Sequence, residues 1–193
     1  MTDAYIIDAA RTPRGIGKAG RGALAHLHSG RLLAKVLEPI RARNDLNTDD
    51  VDDLVVGCSS QVGNQGSCVG RMAALDAGWS TKSSAVTLDR FCGSGITSVN
   101  LAAANIMSGM DDLCVAGGVE MMSYTATLTN KTNNRTVDEG NLHLRDLHPQ
   151  PHQGICADMI ATLEGFSRQE LDALAVESQR RAQFAIDHGY FNK

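Results

Sequence analysis

Apolar and polar positions alternate along this chain in two rhythms. The opening AYIIDAARTP begins as a short β-branched run and closes in a turn at Thr12-Pro13, which predicts a strand. Leu32, Leu33, Val36, Leu37 and Ile40 then fall at helical spacing, with Ser29 as a candidate cap and Pro39 predicting a kink or an early stop. DDLVVGCSSQ reads as a strand running into a polar loop, GSCVGRMAALDAG as a helix of small residues, and SSAVTLD as a second such strand. GITSVNLAAANIMSG is apolar or small on nearly every face, which predicts a helix buried all round, and DDLCVAGGVE predicts a further buried strand. Strands that are continuous apolar runs, separated by helices, define an α/β protein with a largely parallel sheet covered on both faces.

After Ser123 the pattern is lost. YTATLTNKTNNRTVDEGNLHLRDLHPQP is polar, rich in Thr and Asn and without a clear period, so a long loop is expected. Helical spacing returns in GICADMIATLEG. It returns again from Ser167, where Glu170 completes a capping box. Leu171, Leu174, Ala175, Ser178, Ala182, Ala185 and Ile186 mark one face of that last helix, and Gly189 is a plausible stop. No internal repeat is apparent.

Composition narrows the class. The chain has 193 residues, 42% hydrophobic but only 4% aromatic, so its core must be built from Ala, Val, Leu, Ile and Met. A net charge of −4 without a basic cluster argues against nucleic acid as partner. No run approaches the length of a membrane span, and MTDAY lacks the basic and apolar regions of a signal peptide, so a cytoplasmic protein with no membrane partner is expected. The glycine-rich RGIGKAGRGALAHLHSG lacks the GK[ST] spacing of a phosphate-binding nucleotide loop, and no nucleotide fingerprint is expected there. Five cysteines (58, 68, 92, 114 and 156) form no C-x-x-C pair, which argues against a disulfide framework or a zinc ribbon. His143, His148 and His152 cluster in the polar stretch at irregular spacing and read as solvated, so no metal site is expected.

Cys92 stands apart because it sits at the joint between a predicted strand and a predicted helix. A helix N-terminus lowers thiol pKa through its unpaired N–H groups and dipole. A cysteine there projects from the sheet edge where α/β proteins bind ligands, and its own N–H can donate to a developing oxyanion. Gly93 and Gly95 clear side chains from the approach. Small residues at a helix start also serve plain packing, so the residues alone leave both readings open.

The motifs around the corner go further. LDRFCGSGITSV resembles the nucleophile segment of the thiolases, and GGVEMMS (117–123) resembles their Gly-Gly-x-Glu-x-Met-Ser strand end. DAARTPRG is similar to their first strand and turn, QVGNQGSCVGRMAALDAG to their first long loop and helix, and LDALAVESQRRAQFAIDHGYF to the helix after their substrate-covering segment. The resemblance runs in order along essentially the whole chain. It implies the N-terminal half of the thiolase-like layered fold, with a mixed, mostly parallel sheet covered by helices. Residues 1–122 would form the core carrying the nucleophile, and 123–193 the first part of the substrate-covering loop domain.

The resemblance also implies a chemistry. Cys92 would accept the acyl group in the reversible condensation of acetyl-CoA with acyl-CoA, or in thiolysis of a 3-ketoacyl-CoA by CoA. Coenzyme A thioesters would be substrates, with no resident cofactor, in a homo-oligomer (dimer or tetramer) serving lipid metabolism such as fatty acid β-oxidation. PHQG (151–154) falls where thiolases carry His-Met-Gly over the acyl pocket. By that match His152 would lie near the pantetheine arm and Gln153 would line the pocket with a more polar wall; an ordinary loop histidine is the plainer alternative. Many thiolases have asparagine where this chain has Asp89. An ionised carboxylate facing Cys92 would oppose thiolate formation, whereas alternation along a strand turns it toward backbone or a neighbouring subunit. Glu120 is read as a structural carboxylate, and the other four cysteines as small buried hydrophobes.

Thiolases are about twice as long, and their C-terminal halves supply a Gly-His-Pro histidine, a second acid/base cysteine and a water-placing asparagine. None of those motifs occurs in these residues. Two alternatives are therefore carried: a condensing enzyme of the ketosynthase type, against which GGVEMMS and ARTP argue, and a non-catalytic half-subunit donating Cys92 to a partner chain.

Overall fold

A computed structural model describes residues 3–129, 138 and 140–192, which fall into two compact units, residues 1–133 and 134–193. In the first unit, α1 (Ser29–Arg43) begins one residue before the predicted periodicity would cap it. His28 is the cap, its Nδ1 accepting from the Gly30 N–H at 3.1 Å, while Ser29 is buried as the first helical residue. Pro39 lies inside α1 without ending it. The bond that a proline cannot make is the one to the Lys35 carbonyl, on an exposed residue where water can replace it.

The chain then builds β1 (Asp53–Gly57), α2 (Val69–Asp76), β2 (Ser84–Leu88), α3 (Ser94–Ser108), β3 (Cys114–Gly118) and α4 (Met122–Thr129). The three strands are parallel in the order β2-β1-β3, with Asp53 in register with Ser84 on one side and Cys114 on the other. The sheet is thus α/β and parallel, as the continuous apolar runs imply. Leu54 and Val56 point from β1 into a core made with Leu33 and Leu37 of α1, Val69, Ala73 and Ala74 of α2, and Trp79. Gly57, on the alternate face, lies under α3.

Two expectations fail. The AYII run forms no strand: Tyr5, Ile6 and Ile7 are exposed, Ile6 by 84%, and no described strand pairs with them. The segment is tied down just beyond, where Asp8 accepts from Arg43 and Asn44 at the end of α1. Nor is α3 buried all round. Its covered stripe is Ser94, Ser98 and Ala102, whereas Ile96 is 73% exposed and Val99, Leu101 and Met107 also face out. The reason is proximity. A Cβ added at Gly57 would lie 2.5 Å from the Ser94 carbonyl carbon, so only small residues fit between α3 and the sheet. Ser98 turns this to use, donating to the Gly117 carbonyl at 2.8 Å.

Where a long loop is expected after Ser123, α4 occupies the first part, fixed by the Tyr124 hydroxyl accepting from the Asn64 N–H at 3.0 Å. Residues 130–137 and 139 of that stretch lie outside the described residues. The second unit holds α5 (Leu142–Leu147), α6 (Gln153–Glu164) and α7 (Arg168–Asp187). The capping box of Ser167 and Glu170 forms in both directions. The apolar face of α7 forms as a helix face but is not covered, with Leu174 72% exposed. No helix among the described residues is long and apolar enough to cross a membrane.

Gly57→Ala should destabilise the first unit by about 1–3 kcal/mol, because the added methyl meets backbone that has no rotamer to yield. A lowered urea midpoint at unchanged slope is the expected measurement, and an unchanged midpoint would show that α3 can lift off the sheet at no cost.

Candidate active site

The C-terminal end of the parallel sheet carries two connected features, and a third is spread across the fold. The first is the corner between β2 and α3. Arg90 N–H donates to the Ser94 hydroxyl at 2.8 Å, and that hydroxyl donates to the Phe91 carbonyl at 2.6 Å. Phe91 N–H donates to Asp89 Oδ1 at 2.7 Å, and Gly93 N–H to the Arg90 carbonyl at 3.0 Å. Phe91 itself has φ of +47°, a left-handed conformation that is unusual for a bulky side chain. Cys92 comes next, exposed and with a free thiol, immediately before Gly93 at the N-cap of α3.

The two corner glycines are there for different reasons. A Cβ at Gly93 would lie 3.3 Å from the Arg90 carbonyl oxygen, so a side chain there fits only if the turn gives by a few tenths of an ångström. A Cβ at Gly95 would meet nothing within 4 Å, so the first turn of α3 is open beside Cys92. An open helix N-terminus next to an exposed thiol can offer N–H donors to an oxygen gaining negative charge.

The second feature is a polar clamp between the loop after β1 and the end of β3. Glu120 Oε2 accepts from the N–H groups of Ser59 and Ser60 at 2.8 and 3.2 Å, and Oε1 accepts from Gln65 Nε2 at 2.9 Å. Gln65, fully buried, also donates to the Ser60 carbonyl and accepts from Met121 N–H at 2.6 Å. Every polar atom of its amide is satisfied, as burial demands. Glu120 therefore holds the backbone of Ser59 and Ser60 and the side chain of Gln65.

The third feature is how the fold sorts its thiols. Burial, with the charge of Glu120 next in weight, pushes the Cys58 thiol up to about 11. Burial, a hydrogen bond to Asp111 Oδ2 at 3.1 Å and the nearby Asp carboxylates push Cys114 up to about 12. Cys68 is half-buried against Ala85 and Thr87 at the start of α2.

His152 and Gln153 lie in the second unit and Cys92 in the first. His152 is the N-cap of α6, its Nδ1 accepting from Gly154 N–H at 3.1 Å, so the neutral ring carries its proton on exposed Nε2. Gln153 is the first residue of α6 and is exposed. No group of His, Cys, Asp and Glu among the described residues could hold a metal ion.

Residues 4–193 match the family described as Thiolase, N-terminal domain, and the chain belongs to the thiolase family. Similar proteins named 3-ketoacyl-CoA thiolase occur in Psychrobacter cryohalolentis (31% identity, covering 98% of this chain and 47% of that protein) and in Acinetobacter baumannii (31%, 98% and 47%). Another, from Shewanella frigidimarina, is 34% identical over 100% of this chain and 48% of its own length. The chain spans about half the length of the curated relatives it matches.

Periodicity could not have shown Gln65 as an anchor, since it binds groups 55 and 56 residues away. Asp89 did carry a local sign, because an Asp two residues before a turn residue is an Asx-turn former. In labelling with sub-stoichiometric iodoacetamide at pH 8, Cys92 should react first. Cys58 and Cys114 should stay unmodified until the pH approaches about 11 and 12, since a raised pKa keeps the thiol protonated over the window below it. Peptide mass spectrometry of folded protein gives the order, and earlier labelling of Cys58 or Cys114 would refute it.

Proposed function

We propose that this chain supplies the nucleophile half of a thiolase-type acyltransferase acting on coenzyme A thioesters. The observation that carries the proposal is the exposed Cys92 thiol on a tightly anchored corner, in a segment, LDRFCGSGITSV, that resembles the nucleophile segment of the thiolases. The relatives are named for 3-ketoacyl-CoA, and that is the substrate class assigned here.

In thiolysis the Cys92 thiolate adds to the 3-keto carbon, whose oxygen takes the negative charge and is met by N–H donors at the start of α3. Collapse of that oxyanion breaks the bond between carbons 2 and 3. The shortened acyl group stays on Cys92 as a thioester, and the departing acetyl-CoA carbanion takes up a proton. CoA thiolate then attacks the acyl-enzyme carbonyl, releasing acyl-CoA and restoring the Cys92 thiolate. Run backwards, the cycle condenses acetyl-CoA with an acyl group. His152 Nε2–H is assigned to the pantetheine arm and Gln153 to the wall of the acyl pocket.

Carbanion protonation, or α-proton removal in reverse, needs a positioned acid/base. That group is assigned to a C-terminal half, because the motifs that bear it in thiolases are missing from these residues. Oligomerisation is assigned to β2, an edge strand that pairs only with β1 among the described residues and whose Val86 is exposed. A cytoplasmic location and service in fatty acid β-oxidation complete the proposal.

The test is acetoacetyl-CoA thiolysis by the chain with and without a relative's C-terminal half. Turnover should appear only with the added half, since general acid/base catalysis and a lost oxyanion donor are each worth about a hundredfold or more. Cys92→Ala should lower it by about a thousandfold or more. Equal turnover by the lone chain would end this division of labour. Acylation of Cys92 without thiolysis in either arm would favour a non-catalytic donor subunit. Sedimentation of the chain should show a dimer or larger species, and a stable monomer would count against assembly through β2.

A further inference from the structure

Phe91 is the most constrained residue at the corner and has no packing to account for it. Its side chain is 64% exposed, so burial does not hold its left-handed backbone in place. Both of its backbone polar groups are instead taken. The carbonyl accepts from the Ser94 hydroxyl at 2.6 Å and the Ser94 N–H at 3.1 Å, and the N–H donates to Asp89 Oδ1 at 2.7 Å. Ser94 is buried and fixed against Gly57, so its end of the corner is secured by the fold. The other end depends on one exposed side chain, Asp89.

We propose that Asp89 is a positioning residue for Cys92. By accepting the Phe91 N–H it holds Phe91 left-handed, and since Phe91 directly precedes Cys92, that conformation sets the direction in which the thiol leaves the sheet. This rests on the reading of Cys92 as nucleophile. It makes a specific claim about position 89, that the requirement there is for an acceptor oxygen at this distance and not for a charge. Asparagine offers the same oxygen and alanine does not.

The test measures the rate of Cys92 alkylation by iodoacetamide in the full chain, at a pH high enough that the rate no longer rises, with Cys58 as an internal monitor of folding. Asp89→Ala should slow Cys92 by about fivefold while Cys58 stays protected, because the corner then populates other conformations. Asp89→Asn should remain within about twofold of the parent, as expected if an acceptor and no charge is needed. Phe91→Gly should make Asp89 dispensable, since glycine adopts positive φ without help. The double variant Phe91→Gly/Asp89→Ala should therefore match Phe91→Gly. If Asp89→Ala does not fold, that last comparison alone decides.

An unchanged rate in Asp89→Ala, or a slow double variant, would overturn the role of Asp89 and leave Cys92 as nucleophile untouched. Loss of Cys58 protection together with slowing of Cys92 would mean general loosening, and would also overturn it. A parent in which another thiol outruns Cys92 would overturn the nucleophile reading itself, and the role of Asp89 with it.

Discussion

The first turn of α3 rests on the backbone of β1, with no side chain between them at Gly57, and the position of the candidate nucleophile follows from this contact. A methyl group at Gly57 would come 2.5 Å from the Ser94 carbonyl carbon. The neighbouring strand shows the same economy of space, since a Cβ at Gly118 would lie 2.8 Å from the Gly57 carbonyl oxygen. β1 is the central strand, so fixing its last residue fixes the end of the sheet on both sides. The close approach also explains which face of α3 is small. Ser94, Ser98 and Ala102 face the sheet because nothing larger fits, and the bulky apolar residues are left on the outside.

A sheet end built from glycines has little side-chain packing to hold the loops above it. Here hydrogen bonds take that role. Gln65 is buried and uses both ends of its amide, bridging the loop after β1 to the N–H of Met121. Glu120 meets the same loop from the other side through Ser59, Ser60 and Gln65. Removing Gln65 would strand the buried Met121 N–H, at about 1–3 kcal/mol for an unsatisfied group. The clamp ties the loop after β1 to the end of β3 through one connected set of hydrogen bonds.

How much of this could be read from the residues depends on the range of the interaction. The strands, α2, α6 and the capping box of α7 are local in origin and are legible in period and composition. The strand expected in AYII has the local signal but no described neighbour to pair with, and strand propensity without a ladder does not make a strand. The burial of α3 was overestimated because apolarity does not say how close a helix sits to its sheet. The start of α1 was misplaced because a histidine performed the cap that Ser29 suggested. At the site, Cys92 was legible from its place between two periods, and Asp89 from its short-range turn chemistry. Gln65 was not, since its partners lie 55 and 56 residues away.

An exposed thiol and a rigid backbone are conflicting demands, and the corner meets them by separating the groups that satisfy each. Cys58 lies one residue beyond the sheet end, but burial and the neighbouring carboxylate of Glu120 keep it a thiol to about pH 11. Cys114, beside Asp111, is kept so still higher. Cys92 is given exposure instead, and exposure leaves its own side chain unable to anchor anything. The anchoring passes to its neighbours: Ser94 from the buried side, Asp89 from the open side, and the turn bond from Gly93 N–H to the Arg90 carbonyl. The conformational cost is concentrated in Phe91, a residue whose side chain gains little from the fold. Strain that persists next to the one exposed thiol at this sheet end, and is over-determined by hydrogen bonds on both sides, is the arrangement expected of a pre-organised nucleophile and not of a packing residue.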